Sequence, residues 1–125
     1  MKEEDPTFDR LRLLVGAEGC ERLSRAHVLV LGLGGVGGFA AEMVARGGVG
    51  QMTIVDADVV TPSNINRQII ATQSVIGQPK ATLWRDRLLS INPALRLEVI
   101  AEYLRDERME EVLSAAPYDL SLIHI

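Results

Sequence analysis

The sequence predicts an α/β chain, a Rossmann-like parallel sheet with helices on both faces. Three observations carry that prediction. Short runs of branched apolar residues alternate with segments of helical period. The first run closes in the glycine-rich turn "GLGGVG" at residues 32–37, and the next ends on an acid, Asp56. Alternation at this spacing calls for right-handed crossovers, hence parallel strands covered on both sides.

Taken in order, Asp5 and Pro6 are suited to opening a short helix with Phe8, Leu11 and Leu14 on one side. "AEGCERLSRA" reads as a second short helix with a charged face. "HVLVLG" (27–32) is a buried strand. Residues 36–47 read as a helix with Val36, Ala40, Met43 and Val44 on its apolar face and Gly47–Gly48 as its stop. "QMTIVDAD" gives the next strand, ending at Asp56. "GQPKATLWRDRLLSIN" is a helix burying Leu83, Trp84, Leu88 and Ile91, and Trp84 is read as packing. "ALRLEVI" alternates and forms a third strand. "RDERMEEVLSAA" is a helix with Met109, Val112 and Leu113 inward, Pro117 ends it, and "YDLSLIHI" begins a fourth strand.

Composition narrows the function classes. Thirteen basic against 17 acidic residues give a net charge of −4, so no strongly basic nucleic-acid footprint is present. The single cysteine, Cys20, rules out an internal disulfide and a cysteine-rich zinc site; it suits a reducing cytoplasm and reads as a packing residue. The acidic start "MKEEDPTFDR" lacks the apolar core of a signal peptide, and no run approaches the roughly 18 apolar residues of a membrane helix. One domain is expected over residues 1–125, with N-terminal helices at 8–26 and a βαβ nucleotide-binding core at 27–119.

Gly32, Gly34 and Gly37 make a G-x-G-x-x-G at a strand-to-helix turn. Glycines there permit the tight turn and let the backbone approach a phosphate, while the helix N-terminus offers free N–H groups to an anion. Asp56 is placed to hydrogen-bond ribose hydroxyls. By itself this pattern says nucleotide binder, and an NAD-dependent oxidoreductase or a nucleotide-sensing module is its ordinary meaning. The additions point elsewhere. Gly35 makes a glycine pair inside the motif, and Asp58 stands beside Asp56. "VTPSNINRQIIA" then packs Ser63, Asn64, Asn66, Arg67 and Gln68 into one loop, and Lys80 in "GQPKA" opens the next helix. Arg67 and Lys80 suit a triphosphate better than a nicotinamide ring, because charge-assisted bonds strengthen as charge develops on phosphoryl oxygens.

Taken together, "GLGGVG", "GVGQMTIVDADVV", "SNINRQIIA", "GQPKA" and "INP" resemble the adenylating family of ubiquitin-like activating enzymes and their bacterial relatives, over about residues 8 to 119. "FDRLRLLVGAEGCERLSRAHV" and "NINRQIIAT" resemble most the branch that dehydrates threonylcarbamoyladenosine (t6A) in tRNA. The resemblance implies ATP and Mg²⁺ as cofactors and attack of a carboxylate on the α-phosphorus of ATP, giving an acyl-adenylate and pyrophosphate. In that branch the carboxylate belongs to the threonylcarbamoyl group of t6A, and an intramolecular attack then closes a ring as AMP leaves. The resemblance also implies a homodimer, and with it possible sulfur-transfer partner proteins. Gly35 would lie against the nucleotide and Asp56 would hold the ribose. Asn64 and Arg67 would reach the phosphates, Lys80 the charge that builds in displacement, and Arg10 the partner subunit's triphosphate. Activation of the C-terminal glycine of a sulfur-carrier protein remains the alternative substrate class.

The chain departs from the family where the strand after "YD" should run into D-A-x-D, whose last aspartate supports Mg²⁺; no aspartate follows Asp119. "LSLIHI" is also the translation of CTGTCTCTTATACACATC, a transposon end used in sequencing libraries. Residues 120–125 are therefore candidate non-native sequence in a C-terminally incomplete domain. A chain cut after its fourth strand is expected to be poorly soluble and inactive alone, with a bare sheet edge.

Overall fold

Strands β1 (His27–Leu31), β2 (Gln51–Val55), β3 (Arg96–Ile100) and β4 (Leu120–Ile123) form one sheet in the order β3-β2-β1-β4 in the computed structural model, which describes residues 5–123. All three pairings are parallel, with Val28 opposite Met52 and Leu120, and Met52 opposite Leu97. The order reverses beside β1, the place where open α/β sheets form a crevice at their carboxyl ends. The last two residues of the expected fourth strand, 124 and 125, lie outside the described residues.

Period-two alternation divides the core between the two faces. Val28, Val30, Met52 and Ile54 point to one side, where α2 (Gly35–Arg46) and α3 (Lys80–Ile91) cover them with Ala41, Ala45, Trp84 and Leu88. Leu29, Val55 and Ile100 point to the other, covered by Val112 of α4 (Asp106–Ser114). Trp84 is buried and packs in the larger cluster, as its helical spacing indicated.

Three local expectations need correction. The two short N-terminal helices run together as α1 (Asp9–Arg25) after a 3₁₀ turn at Pro6–Phe8. The break between them survives as a kink at Gly16, with φ 74° and ψ 171°. Phe8 is buried there, but Leu14 is 83% exposed. On α2 the buried stripe is Gly37, Gly38, Ala41 and Ala45, whereas Val36 and Met43 face outward. Small residues make room for the Gly32 carbonyl against Gly37 and the Trp84 ring against Gly38, so close approach decides the face rather than side-chain hydropathy. On α4, Val112 is buried but Leu113 is exposed.

Glu42 of α2 is buried between two arginines. Its Oε1 accepts from Arg87 Nε of α3 at 2.5 Å and its Oε2 from Arg46 Nε at 3.2 Å. The Arg87 hydrogen bond, followed by the opposing cost of burial and then the Arg46 bond, leaves the carboxyl below its ordinary range. A depressed acid stabilises the fold above its unfolded pKa of 4.5 and loses that contribution as pH falls through the folded value. Glu42→Gln is therefore expected to cost about 2 kcal/mol at neutral pH, moderated by the partial exposure of both guanidiniums. Denaturant unfolding should show the gap closing as the buffer is taken well below pH 4.5; an unchanged gap would show that the clasp does not titrate.

Candidate functional site

The site is built at the carboxyl ends of β1 and β2. After β1, Gly32 turns at φ +97° and its N–H donates to the Val55 carbonyl at 2.8 Å. A Cβ on Gly37 would stand 1.8 Å from the Gly32 carbonyl oxygen, so the first turn of α2 is pressed directly onto this bend. No side chain caps the start of α2 at Gly34, which leaves its first N–H groups and partial positive charge available to an anion. After β2, Asp56 ties the two turns together. Its Oδ2 accepts from Leu33 N–H at 2.7 Å and its Oδ1 from Asp58 N–H at 2.7 Å.

The polar loop closes over the glycine turn. Asn64 is buried and its Oδ1 accepts from Thr61 N–H at 2.9 Å, fixing the 3₁₀ turn Pro62–Asn64. One amino group of Arg67 donates to the Ser63 carbonyl at 2.7 Å and to Asn66 Oδ1 at 3.0 Å. The Arg67 stem and carbonyl lie against Gly35, within 3.8 Å and 3.4 Å of where a Cβ would stand. Gln68 is buried beside Gly34, with its Oε1 enclosed and unpartnered among the described residues. Lys80 is only 5% exposed, and its backbone N–H donates to the Asp58 carbonyl at 3.0 Å.

These elements enclose an open cavity of about 440 Å³, lined by Gly32, Gly34, Gly35, Asp56, Asp58, Arg67, Gln68 and Lys80. Gly37, Ser63 and Asn66 stand behind the lining, the first fixing the helix and the other two holding Arg67. Asn64 opens instead onto a neighbouring hollow of about 400 Å³, which shares Asp58 and Lys80 with the first. Arg10 is exposed on α1 and lines neither space. Glu102, Tyr103 and Leu104, just after β3, also line the larger cavity. No sequence motif marks them. The rule that ligands gather at strand carboxyl ends would have found them once β3 was set beside β2.

Charge within the cavity is sorted by partner. Asp56 is held by two backbone N–H groups, Asp58 Oδ1 accepts from Tyr103 Oη at 2.5 Å, and Glu102 accepts twice from Arg108 at 3.0 Å. Asp58, as the leading cause, raises the Tyr103 phenol above its ordinary range. Neither Arg67 nor Lys80 pairs with any carboxylate among the described residues. The acids of the cavity are thus partnered, while its two cations have no carboxylate partner among the described residues. Among the described residues no cluster of three His, Cys, Asp or Glu side chains is arranged to hold a metal, and no helix is long and apolar enough to cross a membrane.

Fold and site together define an α/β domain with a polar cavity beside a glycine turn at the carboxyl ends of its strands. Residues 8–122 match the ThiF family, and the chain belongs to it. It is 44% identical over 104 residues to the tRNA threonylcarbamoyladenosine dehydratase of Bacillus subtilis, covering 83% of this chain and 41% of that protein. It is also 40% identical over 121 residues to the sulfur carrier protein adenylyltransferase of Thermus thermophilus, covering 95% of this chain and 44% of the relative. Among solved structures it superimposes on the Escherichia coli tRNA N6-threonylcarbamoyladenosine dehydratase in complex with ATP with a TM-score of 0.91 at 33% identity, covering 95% of this chain and 49% of that one. The chain thus spans less than half the length of these relatives.

The Gly32–Gly37 approach leaves no space for a methyl group. Gly37→Ala is expected to cost about 3 kcal/mol or more in urea unfolding, because backbone rather than a flexible side chain must move. Stability equal to the parent would show that the turn relaxes freely.

Proposed function

We propose that the full-length protein carrying this chain is an ATP-dependent adenylating enzyme that activates a carboxylate. The observation that carries the reading is the cavity in which each acid has a partner while Lys80 and Arg67 lack a carboxylate among the described residues. The start of α2 and Gly35 receive the phosphates, with Lys80 and Arg67 as their counter-charges, and Asn64 and Gln68 supply further polar contacts. Ser63 and Asn66 orient the Arg67 guanidinium, whose other N–H groups stay free for phosphoryl oxygens. Asp56 keeps lone pairs beyond its two backbone bonds and takes the ribose hydroxyls. Asp58 lines the same wall.

The chemistry follows from that placement. A substrate carboxylate oxygen bonds to the α-phosphorus, the bond to the bridging oxygen of the β-phosphate breaks, and pyrophosphate leaves. Negative charge grows on the departing oxygens as this happens. Fixed cations in a partly dry site stabilise that charge more than they stabilise the ground state. The acyl-adenylate is then attacked at its carbonyl, and AMP leaves carrying the former carboxylate oxygen. Mg²⁺ held by the nucleotide's own phosphates would supply further counter-charge to them, a role that needs few protein ligands.

For the substrate, we favour the threonylcarbamoyl group of t6A in tRNA, closed to the cyclic form. The 44% identity to a dehydratase and the close superposition on a second one support it. The 40% identity to a sulfur-carrier activator supports the alternative, the C-terminal glycine of a ubiquitin-like carrier protein. Arg10, exposed on α1 beside the exposed Leu13 and Leu14, fits a homodimer in which it reaches the partner subunit's nucleotide. The lone buried Cys20 suits a cytoplasmic setting.

ATP–pyrophosphate exchange tests the reading, run with t6A-bearing tRNA and separately with a carrier protein ending in glycine. Lys80→Met and Arg67→Ala are each expected to slow exchange about 100-fold, with circular dichroism unchanged. Exchange at the parent rate in both variants, or exchange with neither substrate, would remove the proposal. Activity with the carrier protein alone would select the alternative substrate.

A further inference from the structure

Lys80 shares its two hollows with an acid, Asp58. Its backbone N–H is bonded to the Asp58 carbonyl at 3.0 Å, and both side chains line the same two hollows. A carboxylate and an ammonium so placed attract one another, and a pair formed between them would cancel the charge that an anionic ligand needs. They do not pair. What holds Asp58 instead is the Tyr103 hydroxyl, which donates to its Oδ1 at 2.5 Å. Tyr103 comes from a different strand end, beyond β3, and is 70% exposed, so this bond rather than core packing fixes its position. The neighbouring Glu102 is bound by Arg108 at 3.0 Å through both oxygens, which anchors the segment that carries Tyr103.

We propose that Tyr103 is a positioning residue that keeps the Asp58 carboxylate off Lys80, so that the Lys80 ammonium stays unpaired for the ligand's phosphates. This rests on the reading of the cavity as a nucleoside triphosphate site. Tyr103 contributes a neutral donor, and the Asp58 carboxylate is satisfied without consuming a cation. Loss of the hydroxyl releases the acid into the two hollows that it shares with Lys80, and the ligand must then break an ion pair before it can bind.

The test uses calorimetric titration of the full-length protein with ATP and, separately, with adenosine. Tyr103→Phe keeps the ring and removes only the hydroxyl. It is expected to weaken ATP binding about fivefold, the scale of a partly exposed ion pair, while adenosine binding stays as in the parent. Adding Asp58→Asn to Tyr103→Phe removes the competing charge and should recover most of the lost ATP affinity; a merely structural role for Tyr103 would not produce that rescue. Equal ATP affinity in parent and Tyr103→Phe would overturn the inference. So would equal weakening toward ATP and adenosine, which would make the residue a wall for the base. Failure of the parent itself to bind ATP would instead defeat the nucleotide reading beneath it.

Discussion

The carboxylate of Asp56 is the constraint on which the site depends. One oxygen holds the glycine turn through Leu33 N–H and the other holds the "DAD" turn through Asp58 N–H, both at 2.7 Å. Two separate strand-to-loop turns are thereby locked into one rim. Hydrogen bonds to a charged acceptor contribute about 1.5 to 3 kcal/mol each, and at the glycine turn they add to the burial of the Leu33 side chain in the larger core cluster. The consequence reaches further along the chain. The Asp58 carbonyl receives the Lys80 N–H, so the start of α3 is set by the same acid at one remove. A residue read from sequence as a ligand contact is therefore also the joint of the scaffold.

Much of the fold was legible because the strands announce themselves. Val28 to Val30 is a run of branched apolar residues and Met52 to Val55 is interrupted only by Thr53, and all of these are buried where parallel strands are covered on both faces. The buried face of α2 was not legible. Its inward stripe of Gly37, Gly38, Ala41 and Ala45 carries almost no hydropathic contrast, while the bulkier Val36 and Met43 lie outside. Close approach of the Gly32 turn and the Trp84 ring leaves a signature of small residues, which a search for large apolar ones passes over. The kink at Gly16 was likewise half visible. The sequence indicated two helical segments, and the positive φ of one glycine joins them.

The site was legible in its glycines and its polar loop because those residues have few other uses so densely placed. Gly32, Gly34, Gly35, Asp56, Asp58, Arg67, Gln68 and Lys80 do come to one cavity. What the sequence hid was division of labour. Ser63 and Asn66 look equivalent to Arg67 in the loop, yet they bind the guanidinium rather than face the cavity. Tyr103 was invisible for a different reason. It lies 45 residues from Asp58 in sequence, and only the pairing of β3 with β2 brings the two together.

Net charge is a poor guide to what such a cavity attracts. The chain carries four more acids than bases (17 against 13), and three of those acids line the proposed anion site. The field there depends instead on which charges are already satisfied. Backbone N–H groups offset Asp56, a phenol offsets Asp58 and a guanidinium offsets Glu102, all at hydrogen-bond range. Compensation at that range weakens their pull on a more distant cation, since Coulomb interactions fall with separation and are screened by solvent at the open side. Lys80 is enclosed and has no acid partner among the described residues. An acidic protein can thus keep cations unpaired within a pocket, provided that each nearby carboxylate is given something else to hold.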